Sequence, residues 1–411
     1  MASTEKSKLP TDTTTLEEAI LQYDTRPLPR KKRSWLFKCL ISFALTLIAL
    51  TVILFLLIFV AIPLAFKYSI DFQRLIIFMP IPTTQEQCES VHDRAAGARN
   101  FYVTVDVYEN ITLGVLHFLP APLINESIKN ESFNYSDALA QPDYPVLLHF
   151  HGNGGNRFYN VEAYLKLRQY FHVLGFDYQG YGDSTKAELT EQGIVDVSVE
   201  LYKWLMLQTY PDNIYVWGHS LGGAIAAHTL SRLGNENIIP KGLILEATFT
   251  SLRDEVENYS LAKTFTWLPW FEATIQEGLE NNGFIFNTSD YVSNVDCPIM
   301  ILHAEDDVLI PFALAEKLNN TVADRRDPST QGKVTFHLIP AVYNCNHWSV
   351  VEAPEMFEYI TTYVMDCEAY YNKTKGNKTR TLEKPTTGTT EVSLQPENET
   401  YYKTFFYTET F

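Results

Sequence analysis

The chain has 411 residues, of which 20% are charged and 46% are hydrophobic. This composition excludes a mainly disordered protein and leaves room for a large core. The 49 acidic residues outnumber the 32 basic ones, for a formal net charge of −17. Nucleic acid is therefore not expected as a partner, because phosphate binding needs a cationic surface. No protein partner is predicted from the sequence.

An uncharged segment runs from Cys39 to Phe66, with Ser42, Thr46 and Thr51 as its only hydroxyl side chains. At about 1.5 Å per residue its helix would be about 42 Å long, enough to cross a hydrocarbon layer of about 30 Å. A core helix of a globular protein would be shorter and polar on one face. A cleaved signal peptide would have an apolar region of only about 7–15 residues, closer to the start. We therefore predict an uncleaved signal anchor over residues 39–66.

Basic residues lie on the N-terminal side of this segment, and they predict its orientation. The first 38 residues carry eight Lys or Arg against five Asp or Glu, and residues 39–411 carry 24 against 44. The basic cluster next to the segment consists of Arg30, Lys31, Lys32, Arg33 and Lys38. The positive-inside rule then keeps residues 1–38 in the cytosol. We expect a single-pass type II membrane protein whose remaining chain is luminal or extracellular, at the endoplasmic reticulum or the plasma membrane.

Glycosylation sequons agree with this topology, because all ten follow the predicted anchor. Each is an N-x-S/T triplet without proline, and the glycan acceptors would be Asn110, Asn125, Asn130, Asn134, Asn258, Asn287, Asn319, Asn372, Asn377 and Asn398. On the same side the cysteines would meet an oxidising compartment. Disulfide pairing is open among Cys88, Cys297, Cys345 and Cys367, since spacing cannot choose between the connectivities.

Residues 67–140 contain two short strand-like runs and lead into a polar loop at 121–143, after which apolar strands alternate with helix-length stretches. The predicted strands are 101–107, 111–118, 145–150, 172–176, 214–217, 242–247, 298–303 and 334–339. The predicted helices lie near 158–169, 188–208, 221–233, 312–323 and 353–366. This alternation is typical of an α/β protein, with a mostly parallel sheet covered by helices on both faces.

Two regions depart from the alternation. The aromatic block at about 248–296 is too long for a bare connection, and we predict an inserted cap. Residues 371–411 are rich in Thr, Glu and Asn, and we predict a flexible glycosylated tail. The folded domain between the anchor and the tail is thus expected over residues 67–370.

The run Gly218-His219-Ser220-Leu221-Gly222 follows one predicted strand and opens a helix. It matches the G-x-S-x-G nucleophile elbow in the strand–turn–helix setting that this motif requires. The helix start would place backbone N–H groups near a developing oxyanion. A serine needs a base, however, to act as a nucleophile.

A carboxylate and a histidine follow in the expected order. The strand at 298–303 leads into Asp306-Asp307, and the strand at 334–339 leads into His347. The order Ser…Asp…His is the one found in α/β-hydrolases, with the histidine as base and the aspartate fixing its tautomer. We favour Asp307 over Asp306 because it stands three residues before Ile310-Pro311, a common spacing at this turn. Asp306 would then cap the turn.

The run from His151 to Gly155 (HGNGG) follows the strand at 145–150, where this fold supplies a second oxyanion donor. We expect the backbone N–H groups of Asn153 and Leu221 to form the oxyanion hole. Neither a metal nor a cofactor is expected. His149 and His151 lack nearby acidic or thiol ligands, and no Lys-Ser/Thr follows the glycines as phosphate binding would need.

The motifs HGNGG, FDYQGYGDS, GHSLGG, LHAEDDVLIP and NHW together resemble the α/β-hydrolase superfamily. The arrangement over residues 65–368 is similar to the membrane-anchored lysophosphatidylserine lipase and monoacylglycerol lipase branch of the α/β-hydrolase-domain proteins. The resemblance implies the α/β-hydrolase fold and esters of single-chain lipids as substrates. Asn344-Cys345-Asn346 departs from the branch at the loop before His347. The HxxxxD acyltransferase signature is absent after His347, which favours hydrolysis.

The sequence therefore predicts a membrane-anchored serine hydrolase that cleaves lipid esters with Ser220, Asp307 and His347. An aromatic cap suits an acyl chain, and the anchor keeps the site beside a bilayer. A thioesterase or serine peptidase on the same scaffold is the alternative enzyme. An inactive adhesion protein of this superfamily would have a broken triad, whereas all three members are present here.

Overall fold

A computed structural model describes residues 35–87, 91, 95–259 and 262–375 of the chain. The residues form two compact units, one up to Ile62 and one from Pro63 onward. The helices are α1 (Trp35–Leu56), α2 (Ile62–Tyr68), α3 (Ile70–Phe78), α4 (Ile124–Lys129), α5 (Tyr135–Leu139), α6 (Val161–Leu167), α7 (Glu191–Gln208), α8 (Leu221–Asn235), α9 (Leu252–Asn258), α10 (Glu277–Asn281), α11 (Thr288–Ser293), α12 (Phe312–Arg325) and α13 (Met356–Lys375).

The first unit is the apolar helix α1 and a five-residue π-helical stretch, Leu57–Ala61. The hydroxyls of Thr46 and Thr51 donate to the carbonyl oxygens four residues earlier, both at 2.9 Å. These bonds satisfy the few polar groups that a helix in lipid would otherwise leave bare. Helix α1, the π-helical stretch and α2 form one continuous helix. Its segment Phe37–Tyr68 is long and apolar enough to cross a membrane.

The second unit is organised around a sheet of eight strands within the described residues. They are β1 (Ala98–Asp106), β2 (Asn110–Phe118), β3 (Val146–Phe150), β4 (His172–Phe176), β5 (Ile214–His219), β6 (Gly242–Glu246), β7 (Ile299–Ala304) and β8 (Val334–Ile339). Their order is β1-β2-β4-β3-β5-β6-β7-β8. The pairs β1–β2 and β2–β4 are antiparallel, and the others are parallel. This is the predicted architecture.

The alternation of side chains along the strands divides the core into two layers. In β5, Ile214 and Val216 face helices α7, α8 and α12, whereas Tyr215 and Trp217 face helices α6 and α13. Both faces are apolar because both are covered, as in other parallel sheets. The carboxyl ends of β3, β5 and β7 therefore meet at one edge, where the loops that follow them carry the polar motifs.

Most predicted elements are found within a few residues of their expected bounds, and two predictions were wrong in extent. The expected loop at 121–143 contains helices α4 and α5, which are too short for a periodic signal. Helix α13 continues to Lys375, so residues 371–375 of the expected tail are helical. Residues 376–411, with Asn377 and Asn398, lie outside the described residues.

The region predicted as a cap contains α9, a 3₁₀ turn (Ala262–Thr264), a π-helical stretch (Glu272–Gln276), α10 and α11. Helix α11 packs against α8 and α12, so the end of this region belongs to the helix layer of the sheet. The buried carboxylate of Glu191 on α7 accepts hydrogen bonds from the Ile285 and Phe286 N–H groups, both at 2.8 Å. Tyr291 OH donates to the same carboxylate at 2.8 Å. Glu191 thus holds the segment that returns from the cap.

The cysteines of this unit are buried free thiols as far as the structure describes them. Cys297, Cys345 and Cys367 form no disulfide with one another. Cys88 lies outside the described residues. The pairing that the sequence left open is therefore absent among these three.

Candidate active site

Ser220 lies in the turn between β5 and α8, in the predicted strand–turn–helix setting. Its backbone has φ 55° and ψ −124°, a conformation that non-glycine residues rarely adopt. Three hydrogen bonds hold it: Ser220 N donates to Glu246 O at 2.8 Å, and Ser220 O accepts from Thr248 Oγ1 and from Gly223 N, both at 2.9 Å. Strain of this kind persists only where the surroundings enforce it, and it is concentrated at functional sites.

The two motif glycines are required by close packing around the turn. A Cβ on Gly218 would lie 2.5 Å from the Cα of Gly223. A Cβ on Gly222 would lie 2.5 Å from the carbonyl oxygen of His151 at the end of β3. Any side chain would push α8 away from the β3 loop, so the motif spacing is a steric requirement of this edge.

Asp307 and His347 are in direct contact across the loops that follow β7 and β8. His347 Nδ1 lies 2.7 Å from Asp307 Oδ2. The other carboxylate oxygen, Oδ1, accepts the N–H groups of Leu309 and Ile310, both at 2.9 Å. The Asp307 side chain is fully buried and His347 nearly so. The Nδ1 contact leaves Nε2 of the imidazole to exchange a proton with a reacting group.

A second histidine also faces Asp307. His303 Nε2, at the end of β7, lies 3.3 Å from Asp307 Oδ2 and 2.8 Å from Ile310 O. Burial disfavours the charged carboxylate, but hydrogen bonds from His303 and His347 outweigh it and lower the pKa of Asp307. Asp307 is therefore held as an anion. The motif LHAEDDVLIP does not predict this role for His303, because nothing in the run shows that the histidine folds back on the aspartate.

Asp306 has a different position. Its Oδ1 accepts the N–H of Asn346 at 3.0 Å, which fastens the loop that carries His347. Asn344 and Asn346 both have positive φ, 53° and 45°. Asparagine tolerates this region better than most residues, which is a physical reason for the unusual Asn344-Cys345-Asn346 sequence.

Ser220 is adjacent to His347 through its neighbour His219. His219 Nε2 lies 2.9 Å from His347 O, and the two imidazole rings are 5.0 Å apart. Within the described part of the chain, no hydrogen bond joins the Ser220 hydroxyl to His347 directly. Catalytic hydrogen bonds often become short only when substrate is in place. Ser220 is 9% exposed, so a substrate must displace part of the surroundings to reach it.

The loop HGNGG packs against the serine. A Cβ on Gly152 would lie 3.2 Å from Ser220 Cβ. Tyr178 OH donates to His151 O at 2.8 Å, and the Tyr181 hydroxyl oxygen lies 3.4 Å from Asn153 Oδ1. Leu221 is the first residue of α8, and the first N–H groups of a helix have no acceptor within it. The two predicted oxyanion donors thus belong to segments that flank the serine.

A buried ion-pair group supports this loop. Arg157 is fully buried, and its guanidinium pairs with Asp177 and Asp183, the latter at 2.6 Å. The backbone N–H of Arg157 also donates to Asp177. This group was not predicted from the sequence. A signal was present, since the motif FDYQGYGDS contains both aspartates in the loop after β4, but pairing them with Arg157 needs the fold.

Among the residues that the structure describes, no group of three or more His, Cys, Asp or Glu could hold a metal ion. His149 Nδ1 lies 3.1 Å from Tyr164 OH, and His151 Nδ1 lies 2.8 Å from Gly152 O. Burial lowers the pKa of both histidines. The HFH run is thus part of the packing at the end of β3.

The aromatic residues of the cap fall into two groups. Four are buried in the unit: Phe249, Phe271, Phe284 and Phe286. Trp267, in contrast, is 74% exposed and its indole N–H donates to Thr264 O at 2.8 Å. On the His347 side, half-exposed Trp348 packs edge-on against the imidazole at 4.8 Å. Apolar surface is thus available beside the histidine and on the cap.

Comparisons with known proteins agree with this architecture. The family model described as alpha/beta hydrolase fold matches residues 145–282. The chain is 30% identical over 305 residues to "Lysophosphatidylserine lipase ABHD12" of Danio rerio, covering 73% of this chain and 78% of that protein. It is 30% identical over 337 residues to the Rattus norvegicus protein of the same name, covering 80% and 81%.

Among solved structures, an alpha-beta hydrolase from Vibrio vulnificus superposes with a TM-score of 0.50 at 16% identity, covering 69% of this chain and 87% of that one. At this identity the likeness concerns the fold alone. The sequence relatives carry the family assignment, because the similarity extends over more than two thirds of both proteins. The chain therefore belongs to the α/β-hydrolase superfamily, in the branch of α/β-hydrolase-domain proteins that includes ABHD12.

Proposed function

We propose that this protein hydrolyses the carboxylic ester of single-chain lipids, lysophosphatidylserine and monoacylglycerol, with Ser220 as nucleophile, His347 as base and Asp307 as the orienting acid. As a member of its family it is a carboxylic ester hydrolase. The residues that perform the reaction and the lipid on which it acts are our proposal. The observation that carries it is the 2.7 Å contact between His347 and buried, anionic Asp307 beside the strained turn of Ser220.

The proposed reaction has two halves. Ser220 Oγ attacks the ester carbonyl while His347 Nε2 takes its proton, and the N–H groups of Leu221 and Asn153 stabilise the oxyanion. His347 then protonates the leaving alcohol, which departs from an acyl-serine. A water molecule activated by His347 releases the fatty acid. Asp307 remains ionised throughout and stabilises the imidazolium.

Two observations support a lipid substrate. Relatives at 30% identity are named lysophosphatidylserine lipases, and monoacylglycerol follows from the resemblance of the sequence to that branch. The apolar helix Phe37–Tyr68 leads into the hydrolase unit, which begins at Pro63. An enzyme tethered in this way meets esters that partition into the bilayer at far higher concentration than esters in water.

The test is active-site labelling followed by a lipid panel on the full-length protein. A fluorophosphonate probe should label the wild type, and Ser220→Ala should abolish labelling and ester hydrolysis. Ser293→Ala on α11 is the matched control and should label normally. Lysophosphatidylserine and monoacylglycerol should be hydrolysed faster than two-chain phospholipids, thioesters or peptides. Labelling without Ser220, or preference for a thioester or peptide, would reject the proposal.

We further propose a type II topology, with residues 1–38 in the cytosol, an anchor over residues 39–66, and the hydrolase at 67–370 on the luminal or extracellular side. A cap near 248–296 and a glycosylated tail at 371–411 complete this organisation. The exposed acceptors are Asn110, Asn125, Asn130, Asn134 and Asn372. Asn258 and Asn287 are less available, because the side-chain amide that would carry the glycan donates to Asp254 O and Asp290, respectively.

Endoglycosidase treatment of the cell-expressed protein tests this topology. The apparent mass should fall by several glycans. Replacing Asn125, Asn130 and Asn134 with Gln should remove more of the shift than replacing Asn258 and Asn287. An unchanged mass would place the hydrolase on the cytosolic side.

A further inference from the structure

Helix α3 has two apolar faces, and only one of them is covered. Its inward face buries Gln73, Ile77 and Phe78 in the hydrolase unit. On the outward face Leu75 is 64% exposed and Ile76 48% exposed. The charged residues of α3, Asp71 and Arg74, pair with each other at 2.9 Å. An apolar face of a helix is normally buried in protein or in lipid. Something other than water is therefore expected on the outward face.

The exposed surface continues beyond the end of the helix. Met79, with φ 33°, ends α3, and the chain runs on through Pro80, Ile81 and Pro82. Met79 and Ile81 are 54% and 43% exposed. We call the surface formed by Leu75, Ile76, Met79 and Ile81 the α3 face. Removing the remaining exposed apolar area of these side chains from water is favourable, so together they favour an apolar environment.

The position of α3 in the chain, directly after the apolar helix, indicates which apolar environment lies near it. The hydrolase unit begins at Pro63, inside the apolar helix that ends at Tyr68, so the unit contains the last turns of that helix. Only Ser69 separates this helix from α3: its N–H donates to Ala65 O at 2.9 Å and its hydroxyl caps α3 at Phe72 N. If the apolar helix crosses a bilayer, α3 starts within a few ångströms of the bilayer surface. A short amphipathic helix at that place lies in the interface with its apolar face towards the acyl chains.

The inward face of the same helix reaches the candidate active site. The Phe78 ring packs on Phe284 and Phe286 at 5.7 and 6.1 Å, next to the segment that returns from the cap. The Phe78 carbonyl oxygen accepts a hydrogen bond from Tyr181 OH, which also lies 3.4 Å from the Asn153 side chain. One residue, Phe78, thus connects α3 with both the cap and the oxyanion loop.

We propose that the α3 face is a membrane-contact surface, seated among the acyl chains of the bilayer, and that it brings the cap and the oxyanion loop to the lipid from which substrate is drawn. The membrane contact rests on the proposed anchor and is independent of the proposed hydrolysis. The delivery of substrate rests on that function. A second copy of this chain on the same face is the competing outcome that the experiment separates.

The first experiment is photo-crosslinking of the full-length protein in phosphatidylcholine vesicles whose acyl chains carry an alkyne tag. p-Benzoylphenylalanine is placed at Leu75, at Ile76 or, as matched control, at Met365, an exposed residue of α13. The two α3 positions should give at least tenfold more tagged lipid adduct than Met365. Equal adduct at all three positions, or dimers of the chain in place of lipid adducts, would overturn the proposal. This readout needs no turnover, so it does not depend on the lipase activity.

The second experiment compares a double variant, Leu75→Asp combined with Ile76→Asp, with the single variant Met365→Asp. Hydrolysis of a long-chain lipid ester in vesicles should fall about tenfold in the α3 variant, and hydrolysis of a short water-soluble ester should stay within twofold. Fluorophosphonate labelling of Ser220 verifies that the variant is folded. A similar loss on both esters with labelling intact, or no loss on the lipid ester, would contradict delivery from the bilayer. If labelling itself fails, the crosslinking result decides.

Discussion

The polar groups at the carboxyl edge of the sheet are buried and bonded to one another, whereas those of the cap are paired on its surface. Asp307 is 6% exposed and accepts hydrogen bonds from two backbone N–H groups and two histidines. In the cap, Arg253 pairs with Glu272 and Glu280, and all three side chains are at least one-third exposed.

The difference in burial sets how much each region tolerates change. Removing one partner of a buried charged group leaves the other uncompensated, at a cost of about 3–5 kcal/mol. An exposed ion pair contributes about 0–1 kcal/mol. The edge of the sheet is therefore expected to hold one geometry, while the cap can shift and admit a substrate to the occluded serine.

The largest effect should separate two adjacent aspartates of the rigid edge. Asp307→Asn keeps the shape but reverses the hydrogen bonding to His347, so kcat should fall about 10⁴-fold. Asp306→Asn weakens one bond to the Asn346 N–H and should cost less than tenfold. Steady-state kinetics with a water-soluble ester measures both. If Asp306→Asn proved the more damaging, Asp306 would be the orienting acid.

A smaller effect on kcat is expected for His303, which contacts Asp307 and lies further from the serine. His303→Phe removes a hydrogen bond to the Asp307 carboxylate, and a bond to a charged group contributes about 1.5–3 kcal/mol. We expect kcat to fall about tenfold on short and long esters alike. His303→Gln, which keeps an N–H donor, should retain most of the wild-type kcat.

The same substitution has a pH signature. The depressed pKa of Asp307 contributes stability that is present above the unfolded pKa and lost as the pH falls through the folded one. Without His303 the folded pKa rises, so acid unfolding of His303→Phe should begin at higher pH than that of the wild type. Circular dichroism during acid titration measures this. An unchanged acid midpoint would mean that His303 only fills space.

In the cap, substitutions are expected to change the preference for ester chain length and to leave the chemical step unchanged. Trp267→Ala combined with Trp270→Ala should raise KM for long-chain esters several-fold and leave a short ester nearly unchanged. Trp267 is largely exposed, so its removal should not unfold the unit. The ratio of the two KM values is the measurement. Equal changes for both esters would show that these residues support folding and not the acyl chain.

The smallest effect concerns the stability of the cap helix α9. Burial raises the pKa of Glu255 to about 7, so the folded protein keeps this proton longer than the unfolded chain does. Stability should therefore fall as the pH rises from about 4.5 to 7. Because Glu255 is partly exposed, Glu255→Gln should stabilise by about 1–2 kcal/mol at pH 8 and by almost nothing at pH 4.5. Denaturant unfolding at both pH values measures this, with exposed Glu257→Gln as the control. Equal effects from the two variants would show that folding does not raise the pKa of Glu255.

Local patterns were sufficient for elements that carry strong periodic or turn signals. The parallel strands are continuous apolar runs because both faces of the sheet are covered, and β4 and β8 have the predicted bounds. Helices α4 and α5, of six and five residues, have no such signal and were expected as loop. The unusual asparagines before His347 were visible in the sequence, but their positive φ and the Asp306 contact were not.

By itself the sequence determined the class of fold, the apolar helix, the elbow around Ser220 and the order in which aspartate and histidine follow it. These features rest on hydropathy period and steric need, which act over a few residues. Only the tertiary structure decided that His303 faces Asp307, that Arg157 pairs with Asp177 and Asp183, and that Phe78 contacts both the cap and Tyr181. Several of these contacts join residues far apart in the chain, and all of them depend on how the sheet edge is assembled. A buried charge or ring takes its partners from that packing, which no local pattern encodes.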